Sequence, residues 1–190
     1  MEAFISLTSK FISLPLENID TDQIIPARFL TQTHREGLGA GLFYDWRYEA
    51  GGTLRTDHIL NQDHRDAHIL VAGANFGCGS SREHAVWALQ SYGFRVVMSP
   101  SIGDIFKSNA LKNGLLALEI DPFFYQEICR HPEASLTVDL EQQSIALSSG
   151  ATSSFVLEPF ARLCLLQGVD QLGFLLGHET AIANFEGRQR

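Results

Sequence analysis

Eight consecutive residues, Gly77-Cys78-Gly79-Ser80-Ser81-Arg82-Glu83-His84, carry the densest reactive chemistry in the chain. Two glycines allow a tight turn. Two hydroxyls and a guanidinium follow, directly before Ala85-Val86-Trp87-Ala88-Leu89, which reads as the body of a helix. A helix start presents free N–H groups and favours an anion. Arg82 adds a planar fork suited to a carboxylate or phosphate. The block therefore predicts an anionic ligand held beside a serine. Ser80 with Glu83 also fits the Ser-x-x-Glu capping box, so these two are expected to satisfy backbone N–H groups as well. The phosphate-loop spacing Gly-x-x-x-x-Gly-Lys-Ser/Thr is absent. So is the nucleophile elbow Gly-x-Ser-x-Gly, because Arg82 stands two residues after Ser80.

A second polar cluster is Asn18-Ile19-Asp20-Thr21-Asp22-Gln23-Ile24-Ile25-Pro26. Two carboxylates flank a hydroxyl, and an apolar pair and a proline follow. On its own it reads as an Asx-type turn within a loop. The Asp-x-Asp-x-Asp-Gly calcium spacing is missing. A third segment, 34–52, mixes Gly37, Gly39 and Gly41 with Phe43, Tyr44, Trp46 and Tyr48 and shows no period. It is expected to be a long functional loop, ordered or mobile, with its aromatics arguing against disorder.

These clusters must be positioned by the rest of the chain. At 190 residues it can bury a good core as one domain. The net charge of −8 argues against a nucleic-acid or anionic-membrane partner, while leaving room for a small anion at a local arginine. Cys78, Cys129 and Cys164 lie far apart with no Cys-x-x-Cys, which fits a reducing compartment. The same spacing makes the chain a poor candidate to hold an iron–sulfur cluster alone, and no metal or cofactor ligands are assigned to it. No signal pattern and no membrane-spanning run are present, so a cytoplasmic location is expected.

Phe4 to Leu14 reads as one or two strands, 15–26 as loop and 28–33 as a short helix. From His68 the rhythm becomes strand and helix in alternation. Strand 68–72 leads to a helix of about 82–92 stopped at Gly93. Then follow strand 94–98, helix 101–113, strand 115–120 and helix 122–130 with Pro122 in its first turn. Strands at 136–140, 144–147 and 154–157 precede helices at 159–167 and 170–185. This order predicts an α/β fold, a mixed sheet with a parallel core, in one domain spanning 1–190.

Taken together, Asp20-Thr21-Asp22-Gln23-Ile24-Ile25-Pro26 and Asn75-Phe76-Gly77-Cys78-Gly79-Ser80-Ser81-Arg82-Glu83-His84-Ala85 resemble the swivelling domain of the aconitase superfamily, in its 3-isopropylmalate dehydratase small-subunit branch. The likeness includes 41–47 and 92–97 and extends over nearly the whole chain. It implies a three-layer β/β/α swivelling domain. It implies a hydro-lyase that isomerises 2- and 3-isopropylmalate through isopropylmaleate in leucine biosynthesis, active only with a large subunit. That partner would carry a 4Fe–4S cluster whose open iron acts on the departing hydroxyl, and the ligand would be a small dicarboxylate. By the same resemblance Ser80 is the base, Ser81 and Arg82 hold a substrate carboxylate, and Thr21 and Asp22 form a hydrogen-bonding and proton-handling pair. Glu83 and His84 are expected to cap and pack the helix.

Two departures from aconitase remove polarity. Aconitase has Thr-Thr-Asp-His-Ile-Ser against Asp20 to Ile25, and Gly-Glu-Gly against Gly77-Cys78-Gly79. Both suit an isopropyl group in place of a third carboxylate arm, at about 0.8 kcal/mol per buried CH₂. Ile25, Phe43 and Trp46 are the expected pocket residues; for the aromatic segment the large-subunit interface and satellite core packing stand as the other readings. Alternatives are a small subunit acting on homoaconitate, citraconate or dimethylmalate, and a non-catalytic anion-binding subunit. A stand-alone nucleotide binder is disfavoured by the missing motifs.

Overall fold

A computed structural model describes residues 1–62 and 66–188. Its frame is a seven-stranded mixed sheet in the order β4-β3-β2-β1-β5-β6-β7. Strands β1 (Ser6–Leu14), β2 (Ala67–Ala72), β3 (Val96–Ser99) and β4 (Leu116–Glu119) run parallel. Strands β5 (Leu136–Asp139), β6 (Ser144–Leu147) and β7 (Thr152–Ser154) add on antiparallel. The two halves have different sequence patterns for a physical reason. Ile69-Leu70-Val71-Ala72 and Val96-Val97-Met98 are buried throughout, because both faces of the parallel half are covered. Leu136 and Val138, then Ile145 and Leu147, alternate with less buried neighbours, as one-sided strands do.

The sheet separates two cores. On one face Leu70, Val97 and Ala117 meet α3 (Glu83–Tyr92) and α4 (Asp104–Asn113) through Ala85, Leu89, Phe106 and Ala110. On the other face Ile69, Val71, Met98 and Leu118 pack with Val138, Ile145 and Leu147 of the hairpins and with Phe124 and Ile128 of α5 (Pro122–Arg130). The hairpins thus curl beneath the parallel strands, giving the expected β/β/α layering. β1 belongs to both halves. Ser6 to Ser9 pair with β5, while Lys10 to Leu14 pair with β2, with an irregularity between Lys10 and Phe11. Such an interruption bends a strand and strengthens its twist.

The smaller elements differ from expectation. The segment read as loop before Pro26 contains one helical turn, α1 (Thr21–Ile24). The short helix expected at 28–33 is a 3-10 turn at Ala27–Phe29. The segment 34–52 is ordered by a 3-10 turn at Leu38–Gly41 and by α2 (Tyr44–Arg47). The helix expected at 159–167 is α6 (Pro159–Gln167), while the one expected at 170–185 is two elements, α7 (Gln171–Leu176) and α8 (Glu179–Arg188), separated at Gly177. No helix among the described residues is long and apolar enough to cross a membrane.

Candidate active site

The loops that leave the carboxyl ends of β1 and β2 carry the two polar clusters. Those strands are parallel neighbours, with Leu14 opposite Ala72, so their loops emerge side by side. Ligands of open α/β sheets bind at such strand ends. The ladder then continues beyond the strands. Asn18 N donates to Ala74 O at 2.8 Å, Gly77 N to Ile19 O at 2.7 Å and Thr21 N to Cys78 O at 3.0 Å. Asn18 and Asn75 both adopt positive φ, of 56° and 62°, and their side chains bond at 2.8 Å. Asparagine tolerates that region best among residues with a Cβ. A third loop joins from β3, where Gly103 N donates to Phe76 O at 2.8 Å. Gly77, with φ of 70°, has no alternative residue: a Cβ there would collide with the Phe106 ring.

This zipper places Thr21 against Ser80. Thr21 is buried, and its hydroxyl donates to Ser80 O at 2.9 Å. With that proton committed, the 3.4 Å contact between the two hydroxyls has Ser80 Oγ as donor. The Ser80 lone pairs then face outward, and Ser80 and Ser81 are both exposed. Gly79, at φ of 91°, makes the turn that delivers them. Asp22 and Arg82 close the gap between the loops as an ion pair through Nη1. The same Nη1 lies 3.5 Å from Ile25 O. Nε and Nη2 of Arg82 make no hydrogen bond among the described residues and remain available to a carboxylate.

One expected feature moves. Ser80 and Glu83 do not form a capping box, because α3 begins at Glu83 and its N-cap, Arg82, makes no side-chain cap bond. The capping box belongs to the other cluster. Asp20 Oδ1 accepts from Gln23 N at 2.8 Å, and Gln23 Oε1 accepts from Asp20 N at 2.9 Å. The consequence favours ligand binding: α1 is capped, whereas at the start of α3 the Ala85 N–H is bonded, to Arg82 O, and those of Glu83 and His84 find no side-chain cap. Glu83 accepts from Asn113 Nδ2 at 2.7 Å instead of capping. His84 does pack: its Nε2 lies 2.9 Å from Gln32 O, and its ring is tilted against Trp87 at 4.8 Å.

Of the expected pocket residues, Ile25 and Phe43 are fully buried within the chain. Phe43 N donates to Ile24 O at 2.8 Å, and Leu38, Leu42 and Phe43 fill the core under α1 and α3. Packing there is tight enough that a Cβ on Gly39 would stand 2.8 Å from the Ser91 backbone. Trp46 is half-buried and stacks on Phe43 at 5.0 Å, which leaves it one face for other contacts. The residue missed in this segment is Arg47. It is buried at 8% exposure, its Nε donates to Asn61 and its Nη1 to the carbonyls of Gly39 and Leu42, and its guanidinium stacks on Tyr92 at 5.0 Å. An arginine within an aromatic-glycine run was the available signal.

Glu119 secures the third loop by accepting from Ile102 N at 3.2 Å and Lys107 Nζ at 2.6 Å. Burial pushes its carboxyl up, but those two donors outweigh burial and hold it below the usual range. Among the described residues no group of three or more His, Cys, Asp or Glu is placed to hold a metal ion.

This fold, with hydroxyls and an arginine on loops joined at the parallel strand ends, is that of an aconitase-type swivelling domain. Residues 1–122 match the family described as the aconitase C-terminal domain. The 3-isopropylmalate dehydratase small subunit of Anaeromyxobacter dehalogenans (strain 2CP-C) is 53% identical over 191 residues, covering 100% of both chains. That of Chloroflexus aurantiacus (strain ATCC 29366 / DSM 635 / J-10-fl) is also 53% identical, over 98% of this chain and 95% of its own. The crystal structure of 3-isopropylmalate dehydratase from Methanocaldococcus jannaschii superposes with a TM-score of 0.70 at 22% identity, covering 95% of this chain and 99% of that one, which supports the fold. The chain belongs to the family of 3-isopropylmalate dehydratase small subunits.

Proposed function

We propose that this chain is one half of a cytoplasmic two-chain hydro-lyase that interconverts 2- and 3-isopropylmalate through isopropylmaleate in leucine biosynthesis. Family membership supports the reaction. The observation that carries the chain's own part is the exposed Ser80 beside an uncapped helix start and Arg82. Dehydration removes a proton from a carbon next to a carboxylate, building negative charge that needs aimed donors. One carboxylate of the substrate sits on Arg82 and the hydroxyl of Ser81. Ser80 first releases its own proton to solvent at the exposed loop; the resulting alkoxide, stabilised by the N–H groups at the start of α3 and by Arg82, then takes the carbon-bound proton. Asp22 orients Arg82 through their ion pair, and Thr21 holds the Ser80 backbone. In hydration the same proton returns to the other carbon.

A 4Fe–4S cluster does not fit this chain's donors: Cys78 is only partly exposed at the turn, Cys129 lies on α5 and Cys164 is buried in α6. The cluster is assigned to the large subunit, where it supplies Lewis-acid chemistry to the departing hydroxyl. This chain binds, orients and moves a proton.

The test is reconstitution with the large subunit, followed by isopropylmaleate formation measured spectrophotometrically from each isomer. Ser80→Ala is expected to lower turnover by about 10²–10⁴-fold with assembly intact. Unchanged turnover in an assembled pair refutes the base assignment. Activity on homoaconitate, citraconate or dimethylmalate but not isopropylmalate refutes the substrate.

A further inference from the structure

Asn113 ends α4 in a buried position, at 7% exposure, with every polar atom of its side chain engaged. Oδ1 accepts from Arg35 Nη2 at 2.7 Å and from Trp87 Nε1 at 3.1 Å. Nδ2 donates to Glu83 Oε1 at 2.7 Å and to Asn109 O at 2.9 Å. Its backbone carbonyl accepts from Gln90 Nε2 at 2.8 Å. Helix termination requires none of this, because Gly114 already supplies the left-handed cap at φ of 84°. Burying a polar amide is favoured only when its partners are worth keeping.

Those partners belong to two separate pieces of the site's surroundings. Glu83 is the first residue of α3 and directly follows Arg82. Arg35 lies on the exposed segment 31–37, with its guanidinium over the Trp87 ring at 5.2 Å. The same segment is tied a second time, by Gln32 O to His84 Nε2. The amide thus stands between a cation and an anion, accepting from one and donating to the other. A carboxylate would repel Glu83, and an ammonium would repel Arg35.

We infer that Asn113 is a positioning residue that fixes the start of α3 through Glu83 and clasps segment 31–37 beside it through Arg35, so that the substrate seat at Ser80–Arg82 keeps its shape. This rests on the dehydratase reading of that seat. Asn113 touches no substrate, so its loss acts on the ligand's fit.

The experiment uses the reconstituted two-subunit enzyme and a charge-swap pair. Asn113→Asp sets a carboxylate against Glu83. It is expected to raise KM for isopropylmalate about tenfold with kcat little changed. The same carboxylate turns the Arg35 bond into an ion pair, so trypsin cleavage after Arg35 is expected to slow relative to cleavage after Arg130. Adding Glu83→Gln restores a donor facing residue 113, so the KM effect is expected to reverse while the slowed cleavage, which depends on Arg35, stays. Arg35→Gln opens the clasp from its exposed end and is expected to raise KM without lowering the melting temperature. The inference is overturned if Asn113→Asp leaves KM or cleavage unchanged, or if Glu83→Gln fails to reverse the rise in KM. It is equally overturned if Arg35→Gln leaves KM unchanged. If the wild-type pair does not turn over isopropylmalate, the dehydratase reading fails, while the trypsin arm still decides the clasp.

Discussion

The zippered loops at 18–22 and 75–82 and the aromatic segment at 38–48 lie side by side, and they are held by opposite means. The loops are fixed by backbone hydrogen bonds, from Asn18–Ala74 through Thr21–Cys78, which leaves Ser80, Ser81 and Asp22 exposed on a rigid frame. The aromatic segment is fixed by its side chains, with Leu38, Leu42 and Phe43 wholly buried. Side chains spent on packing are removed from chemistry, whereas main-chain pairing leaves them available. Residues of functional appearance therefore divide by what anchors their backbone, and only the first region keeps its reactive groups at the surface.

Three substitutions or conditions probe that division, in falling order of effect. Phe43→Ala should cost about 3–5 kcal/mol of stability through the cavity it leaves. Chemical denaturation measures this, and turnover per folded molecule should stay normal. A turnover defect at full stability would return Phe43 to the pocket. Asp20→Ala removes the cap of α1 and should cost only about 1 kcal/mol of stability. Turnover should nevertheless fall, because α1 aims Thr21 and Asp22; a stability loss with unchanged turnover would show that the frame does not depend on this turn. The smallest effect concerns acid. The Glu119 carboxyl is held below its ordinary value, so its stabilisation is complete above the unfolded value and is lost as pH falls through the folded one. Lys107 and Glu119 are partly exposed, which screens the pair. Melting temperature should drop slightly between mildly acidic and acidic buffer, and Glu119→Gln should flatten that drop.

The division also explains what was legible in the sequence. The parallel strands read clearly because both faces are buried and the apolar runs are unbroken. The two polar clusters stood out by residue type, and the family resemblance joined them. Adjacency of β1 and β2 supplies the physical cause, which local sequence does not contain. The capping box was placed on Ser80-x-x-Glu83, while Asp20-x-x-Gln23 forms it. Both match the pattern locally. The choice between them is made across the chain, since the loop carrying Ser80 is tied to Thr21 and α3 starts only at Glu83. The burial of Ile25 and Phe43 is not legible locally for a related reason: it depends on α3, which lies far along the chain. The Gly177 break was hidden because the flanking residues keep helical character on both sides.

The divided pairing of β1 sets the order in which the chain can be completed. Its second half finds β2 about sixty positions on, but Thr8 must wait for Thr137. During synthesis the four parallel strands and their helices can assemble while the first half of β1 remains an open edge, the kind that recruits other chains. The hairpins of β5 to β7 arrive last and occupy it. Beyond building the second core, this late-made third of the molecule covers the edge that the site-bearing part leaves open.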